Sequence, residues 1–382
     1  MKILVINSGS SSIKYQFFNT KQSEPLCKGI VERIGSKKSS LNHCSYGKKP
    51  FVSTADLADH HQAIRHIFDI LTCPDQGVID SYKDISAIGH RVVHGAELFS
   101  QPAIINEKVI KAIEKFNDLA PLHNPPALSG IRACRRFAKG IPQVAVFDTA
   151  FHQTIPAYAY VYGIPYEFYS RYKIRRYGFH GTSHKFVSEQ AARIMKKPRS
   201  RLKLVTCHLG NGCSITAVNN GKSVDTSMGL TPLEGLLMGT RCGDIDPAVV
   251  LYIMEKKGLN IKSVDNLLNK ESGMLGLSGI SNDMRDIQKH AKKGSIRSKL
   301  ALDIFIYRIT KYIGAYTASM DGLDAVVLTG GIGENSALIK NRVSKALSNF
   351  FSRFNAHLLV VPTNEELMIS RETVQVIKNL KA

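Results

Sequence analysis

KILVINSGSSSIKYQF, residues 2–17, and KLVTCHLGNGCSITAV, residues 203–218, share one pattern: an apolar strand, a turn of small residues and a second strand. Gly9 answers to Gly210 and Ile13 to Ile215, with a one-residue difference in the turn, so the chain reads as two copies of one unit. Small residues in such turns let backbone N–H groups and hydroxyls approach phosphate oxygens without large side chains in the way. Two facing copies predict a nucleotide cradled between two domains.

Outward from the repeats, apolar strand-like runs alternate with helical periodicities, which predicts an α/β protein. Strands are expected over 3–6, 85–91, 143–147, 204–208 and 324–329, and helices over 106–116, 125–137, 184–195, 247–256 and 298–319. No linker-like or low-complexity segment interrupts them. An ordered hinge near 148–156 is the expected junction, giving a first domain over 1–150, joined by a returning C-terminal helix over 364–382, and a second over 151–363.

With 382 residues, 43% of them hydrophobic, the chain can bury a large core spread over more than one domain. Its seven cysteines are scattered, without a CxxC pair or a zinc-like His/Cys set, and read as free thiols in a reducing compartment. The four apolar residues between Lys2 and Asn7 are too few for a signal-peptide core, and no apolar run reaches membrane length. A soluble cytoplasmic protein is expected. The net charge of +20 raises a nucleic-acid reading, but the lysines and arginines are dispersed, with no basic helix or aromatic platform motif. A solvated basic surface that attracts small anions fits better, with neither nucleic acid nor membrane as partner.

A third small-residue loop, LTGGIGEN at 328–335, follows an apolar run and would admit a flat base or ribose. Phosphoryl transfer asks for positioned reactants and cationic donors rather than covalent help. Arg91 in GHRVVHG and Arg241 in MGTRCGD offer planar bidentate donors and sit among glycines and apolar residues rather than among other charges. His180 in GFHGTSH reads equally as a core histidine and as a ligand, and His123 in LAPLHNPP stands the same way. Asp148 in VFDTAFH is a polar-site residue or a helix cap, and in PTNEELMIS the residues alone do not separate Glu365 from Glu366.

NSGSSSIKYQFF, GHRVVHG, LAPLHNPPAL, VFDTAFHQTIP, RRYGFHGTSH, HLGNGCSI, MGTRCGDIDP, NDMRDI, LTGGIGEN and PTNEELMIS, in this order and across nearly the whole chain, resemble the acetate kinase family. The resemblance implies two duplicated actin-like, ribonuclease H-like domains closing on ATP, and reversible transfer of the γ-phosphoryl group to acetate, giving acetyl phosphate and ADP. It also implies magnesium, with manganese as an alternative ion, and a homodimer. By resemblance Arg91 holds the acyl substrate, Arg241 and His180 stabilise the transferring phosphoryl, and Asp148 orients or binds a metal water, since an acetate already ionised at neutral pH needs no general base. The small hydrophobic pocket falls on Val93, Leu122, Phe179 and Pro232, with His123 beside it, and the metal on Asn7 and Glu365. Nucleotide contacts carry over to Lys14, to His208, Leu209, Gly210, Asn211 and Gly212, to Asp283, Met284 and Arg285, and to Gly331, Ile332, Gly333, Glu334 and Asn335.

The chain departs from the family pattern in a short connection between LTGGIGENS and PTNEELMIS, in its basic surface, and in Cys213 and Cys242, where Ala and Ser are usual. A nucleotide-dependent switch on the same fold would keep the loops but need no acyl-site arginine; a propionate or butyrate kinase would differ only in its pocket.

Overall fold

The computed structural model describes residues 1–22, 24–121 and 123–380. The chain forms two units, Met1–Phe151 with Asn364–Ala382, and His152–Thr363. In the first, β1 (Lys2–Ser8), β2 (Ser12–Asn19), β3 (Pro25–Glu32), β4 (Ser39–Ser45), β5 (Phe51–Ala55), β6 (Ala87–Val92), β7 (Ala103–Ile104) and β8 (Gln143–Phe147) form a sheet in the order β5-β4-β3-β2-β1-β6-β8-β7. In the second, β9 (Lys203–Leu209), β10 (Cys213–Asn219), β11 (Lys222–Thr226), β12 (Ala325–Thr329) and β13 (His357–Val360) are ordered β11-β10-β9-β12-β13.

These orders are the same topology twice. Along β3-β2-β1-β6-β8 and along β11-β10-β9-β12-β13 the pairings are antiparallel, antiparallel, parallel and parallel. The first sheet adds β4 and β5 at one edge and β7 at the other. The opening hairpins do differ by one residue, and the tighter turn is the second: Ser8 pairs with Ile13, whereas Leu209 pairs with Cys213.

Burial follows the strand period of two. On β1, Leu4 and Ile6 pack with Ile13, Tyr15 and Phe17 under the helices His60–Thr72 and Asn124–Phe137, while Ile3 and Val5 face the other way, against Ile369 and Ile377. The latter two belong to the helix Glu365–Asn379, which follows the second sheet in sequence and covers the first. Its approach to β6 requires Gly89: a Cβ there would lie 2.4 Å from Thr373 Oγ1 and 2.9 Å from Ile369 Cγ2.

Helix ends sit where the side chains can cap them. Asn106 accepts from Val109 N at 3.0 Å to open Glu107–Lys115, and Ser295 opens the long helix Ile296–Ser319. The stretch read as a third loop departs from expectation, since Gly330–Asn335 is a short helix. Gly330 adopts φ +77°, and its N–H donates to Glu334 Oε1 at 2.8 Å, so the segment caps itself with its own carboxylate.

Candidate active site

In the first unit the polar residues gather at the C-terminal ends of parallel strands, where α/β sheets open toward ligands. Asn7 and Arg91 are each the last residue but one of their strands, β1 and β6, and Asp148 follows β8, its N–H donating to Val92 O at 2.9 Å. Arg91 Nη2 donates to Asp148 Oδ2 at 2.6 Å and Nε to the same oxygen at 3.1 Å, and Nη1 reaches Asn7 Oδ1 at 3.5 Å. Asp148 is 1% exposed. Burial works against the Arg91 charge, but Asp148 and then Glu365 more than offset it, and its pKa is raised.

Glu365 and Glu366 occupy the first turn of the C-terminal helix, where the macrodipole favours carboxylates. Burial raises the pKa of Glu366, and Glu365 adds to the rise. Among the described residues Glu365 Oε1 is buried without a hydrogen-bond partner. Glu365 acts on the charge of Arg91, which itself bonds Asn7 and Asp148, and the orphaned Glu365 oxygen and the Asn7 amide oxygen are donors of the kind that suits magnesium, which takes one or two protein ligands and keeps water and phosphate for the rest. Val93, just past β6, is 8% exposed. His123 stands at the N-terminus of Asn124–Phe137, while Leu122 lies outside the described residues. Lys14 lies on β2, on the sheet face shared with Gln16, Lys28 and Asn42.

In the second unit the site is built from histidines and one arginine. His180 precedes the helix Gly181–Ile194 in the left-handed region, φ +57°. Its ring stacks on His208 with centroids 4.2 Å apart and 23° between planes, and its Nδ1 lies 2.9 Å from Ser214 Oγ. Ser183 Oγ lies 2.8 Å from His208 Nδ1. Arg241 Nη1 donates to Pro232 O at 3.0 Å; among the described residues it has no carboxylate partner, and burial lowers its pKa. A Cβ placed on Gly212 would lie 3.4 Å from Arg241 Nη1 and 3.5 and 3.6 Å from His180 Cε1 and Nε2. Gly212, Arg241 and His180 therefore border one small space that a side chain at 212 would fill.

The loop that carries Pro232 and Arg241 is pinned on both sides. Glu234 accepts from Arg176 Nη2 at 2.5 Å and from the Tyr162 hydroxyl at 2.6 Å, while Asp244 accepts from the Tyr312 hydroxyl at 2.7 Å and from Gly235 N at 2.8 Å. Sequence reading missed these clamps, because Tyr162, Arg176 and Tyr312 lie 58 to 72 residues along the chain from the carboxylates they meet. Phe179 is 2% exposed, and its carbonyl bonds His152 Nε2 at 3.0 Å. Burial pushes the Cys213 thiol up to about 12 and raises that of Cys242, so neither is a thiolate at neutral pH.

A cavity of about 760 Å³ in the second unit brings together Gly210, Asn211, Asp283, Met284, Arg285, Gly331, Ile332 and Asn335, within the size range of ligand pockets. It also takes in Asn282, Gln288, Lys292 and Ser336, which sequence reading did not pick out. Asn282 Nδ2 donates to Asn211 Oδ1 at 3.3 Å. Arg285 clasps Asp283 at 2.5 Å, holding its carboxyl down at about 2. Leu209 and Gly333 are buried in the fold, and Glu334 Oε1 turns inward to accept from Thr329 Oγ1, Gly330 N and Thr363 N, closing the turn rather than facing the cavity.

The comparisons with known proteins agree along the whole chain. The model of the acetokinase family matches residues 2–376. Acetate kinase of Halothermothrix orenii is 52% identical over 398 aligned positions, covering 99% of this chain and 100% of that protein; that of Acetivibrio thermocellus is 52% identical over 399, covering all of both. The crystal structure of Porphyromonas gingivalis acetate kinase superposes with a TM-score of 0.93 at 41% identity, covering 98% of this chain and 99% of the other. A propionate kinase from Francisella tularensis superposes at 0.90 with 43% identity and the same coverage. The chain belongs to the acetokinase family.

Proposed function

We infer that the enzyme is an acetate kinase. A carboxylate oxygen of acetate attacks the γ-phosphorus of ATP in line, the bond from that phosphorus to the β,γ-bridging oxygen breaks, and acetyl phosphate and ADP form; the reverse transfer retraces this path. Arg91, its charge sustained by Asp148, binds the acyl carboxylate, and the family's acyl-pocket positions fall on Val93, Leu122 and His123 in the first unit and on Phe179 and Pro232 in the second. Acetate is ionised near pH 7, so Asp148 has no proton to remove and serves to orient Arg91. Arg241 and His180 donate to the phosphoryl oxygens as charge shifts onto them. The nucleotide occupies the cavity at Gly210, Asn211, Asp283–Arg285, Gly331, Ile332 and Asn335. Asn7 and Glu365 would hold magnesium, which when bound neutralises phosphate charge.

The observation that carries this reading is the space at Gly212, where an arginine without a carboxylate partner among the described residues and a histidine converge on a position kept clear of side chain. A cation drawn partly out of water without an anion is costly until one arrives. On this reading residues 1–150 with 364–382 are an N-terminal actin-like domain, and 151–363 the nucleotide-binding and dimerisation domain. A homodimer is supported by the apolar helix Pro247–Lys257, on which Leu251 and Tyr252 are more than half exposed. A cytoplasmic location is supported by seven free cysteines, and no described helix is long and apolar enough to cross a membrane.

The test is direct. Purified protein with ATP, magnesium and acetate should form an acyl phosphate trapped by hydroxylamine, and EDTA should abolish it. Nucleotide binding without any acyl phosphate, across the short-chain acids, would move the protein to the switch class. The likeness to a propionate kinase supports a second reading, propionate as substrate; kcat/KM for the two acids decides between them.

A further inference from the structure

Three buried side chains behind His180 form an unbroken line. Thr206 Oγ1 lies 2.7 Å from His184 Nδ1, His184 Nε2 lies 2.7 Å from Ser214 Oγ, and Ser214 Oγ lies 2.9 Å from His180 Nδ1. Thr206, His184 and Ser214 are each 0% exposed. The line follows from sequence spacing. His180 and His184 are four residues apart at the start of one helix and share a face. Thr206 pairs with Thr216 across the β9–β10 ladder, and Ser214, two residues before Thr216, projects to the same side.

We propose that Ser214, His184 and Thr206 are positioning residues for phosphoryl transfer: their hydrogen-bond line occupies His180 Nδ1 and so keeps a proton on Nε2, the nitrogen on the Gly212–Arg241 side. The inference rests on the kinase reading above, in which His180 meets the phosphoryl group. A neutral imidazole has one donor and one acceptor nitrogen, and a hydroxyl has one proton, so the line must run in a single direction. Run from Thr206, its hydroxyl donates to His184 Nδ1, His184 Nε2–H donates to Ser214 Oγ, and the Ser214 hydroxyl donates to His180 Nδ1. Neutral His180 must then carry its proton on Nε2.

Run the other way, Thr206 would have to donate to Thr216 O, its other hydroxyl contact, at 3.4 Å. That is long for a hydroxyl bond, whose usual length is about 2.7–2.8 Å. The reverse direction is therefore kept for the imidazolium, whose Nδ1–H donates to Ser214 while Nε2 keeps its own proton. Either charge state presents an N–H to a phosphoryl oxygen. His184 stays neutral throughout, because burial, then His152 and His208, hold its pKa well below the ordinary value. The stack on His208 fixes the ring plane.

The experiment has two arms on the full-length protein. In ¹⁵N-histidine-labelled wild type, with the His180 signals assigned by their loss in His180→Gln, neutral His180 should show a protonated Nε2 and a bare Nδ1. Thr206→Val, which keeps the shape and removes the first donor, should shift His180 toward the Nδ1–H form. Ser214→Ala should lower kcat roughly 10- to 100-fold, in the range lost when an orienting partner is removed, with KM for ATP and acetate changed less than about 3-fold; Ser214→Thr, which restores a hydroxyl, should recover part of it. An Nδ1–H tautomer in the wild type, or wild-type kcat in both Ser214→Ala and Thr206→Val, overturns the proposal. Should Ser214→Ala fail to fold, the wild-type tautomer and Thr206→Val still decide. Absence of acyl phosphate from the wild type would instead sink the kinase reading, whereas the tautomer measurement tests the hydrogen-bond line whether or not that reading stands.

Discussion

Arg91 and Arg241 are the same residue type in two differently built surroundings. Arg91 is compensated before any substrate arrives: three of its bonds go to Asp148, and Glu365 and Glu366 add to the field that raises its pKa. Arg241 bonds a carbonyl and approaches a thioether, and burial alone pulls its pKa down. One cation is compensated within the fold; the other is not. On the proposed reading the first suits steady binding of a carboxylate and the second a response to shifting phosphoryl charge.

That contrast can be broken by substitution. An arginine that acts on transition-state charge is worth about 10³ to 10⁵ in rate in related phosphoryl transfers. Arg241→Ala should therefore cut kcat by about 10³ or more, with little loss in urea stability, because no buried carboxylate is left behind. Retention of more than about a tenth of kcat would remove Arg241 from the transition state. Arg91→Ala should behave differently: it raises KM for acetate, and by leaving Asp148 buried without its cation it costs about 3 kcal/mol of stability. Equal stability losses in the two variants would erase the distinction between the two arginines.

Gly212→Ala sharpens it from the other side. The added methyl would make ordinary contacts with Arg241 and His180, so the protein should fold, but it would occupy the place assigned to a phosphoryl oxygen. We expect kcat to fall about 10²-fold or more, comparable to losing one oxyanion donor, while ATP still binds. Wild-type turnover would show that the cleared space has no role.

Much of this was legible in the sequence, for local reasons. The two small-residue hairpins and the glycine-flanked arginines announce themselves within a few residues. What escaped depended on distance or on an unusual backbone. Arg176 and Glu234 meet across 58 residues, and Ser214 reads as a plain strand serine until β9 and the Gly181–Ile194 helix are folded around it. His180 adopts φ +57° without being glycine or asparagine, so nothing in GFHGTSH foretold its turn toward β10. Gly330–Asn335 read as a loop because its glycines outweighed Glu334, whose carboxylate closes the helix.

A smaller effect concerns acid size. Val93 is 8% exposed directly after the strand that carries Arg91. Overpacking a filled site costs about 1–3 kcal/mol, while one further buried methylene gains about 0.8. Acetate should therefore lead propionate in kcat/KM by roughly 10-fold, within the reach of one methylene, and Val93→Ala should narrow that gap. An unchanged ratio in the variant would mean that the first unit does not set acid specificity.

The smallest expected effect is on stability in acid, and it belongs to the strand of the compensated arginine. His90 and His94 flank Arg91 and Val93, and burial pulls the pKa of each from 6.5 down to about 4. His90 Nε2 lies 2.8 Å from Gln143 Oε1, to which it donates as a neutral ring, a bond that only partly offsets the burial. Between about pH 6.5 and pH 4 the unfolded chain binds protons that the folded one refuses, so stability is full above the upper value and falls as pH drops through the window. Going from about pH 7.5 to about pH 5.5, each histidine should remove roughly 1 kcal/mol in urea denaturation. His90→Gln takes one of the two groups out and should flatten the fall by about that amount. If the variant lost stability in acid as steeply as its parent, His90 would not be held neutral in the fold, and the acid sensitivity would have to come from groups outside the Arg91 strand.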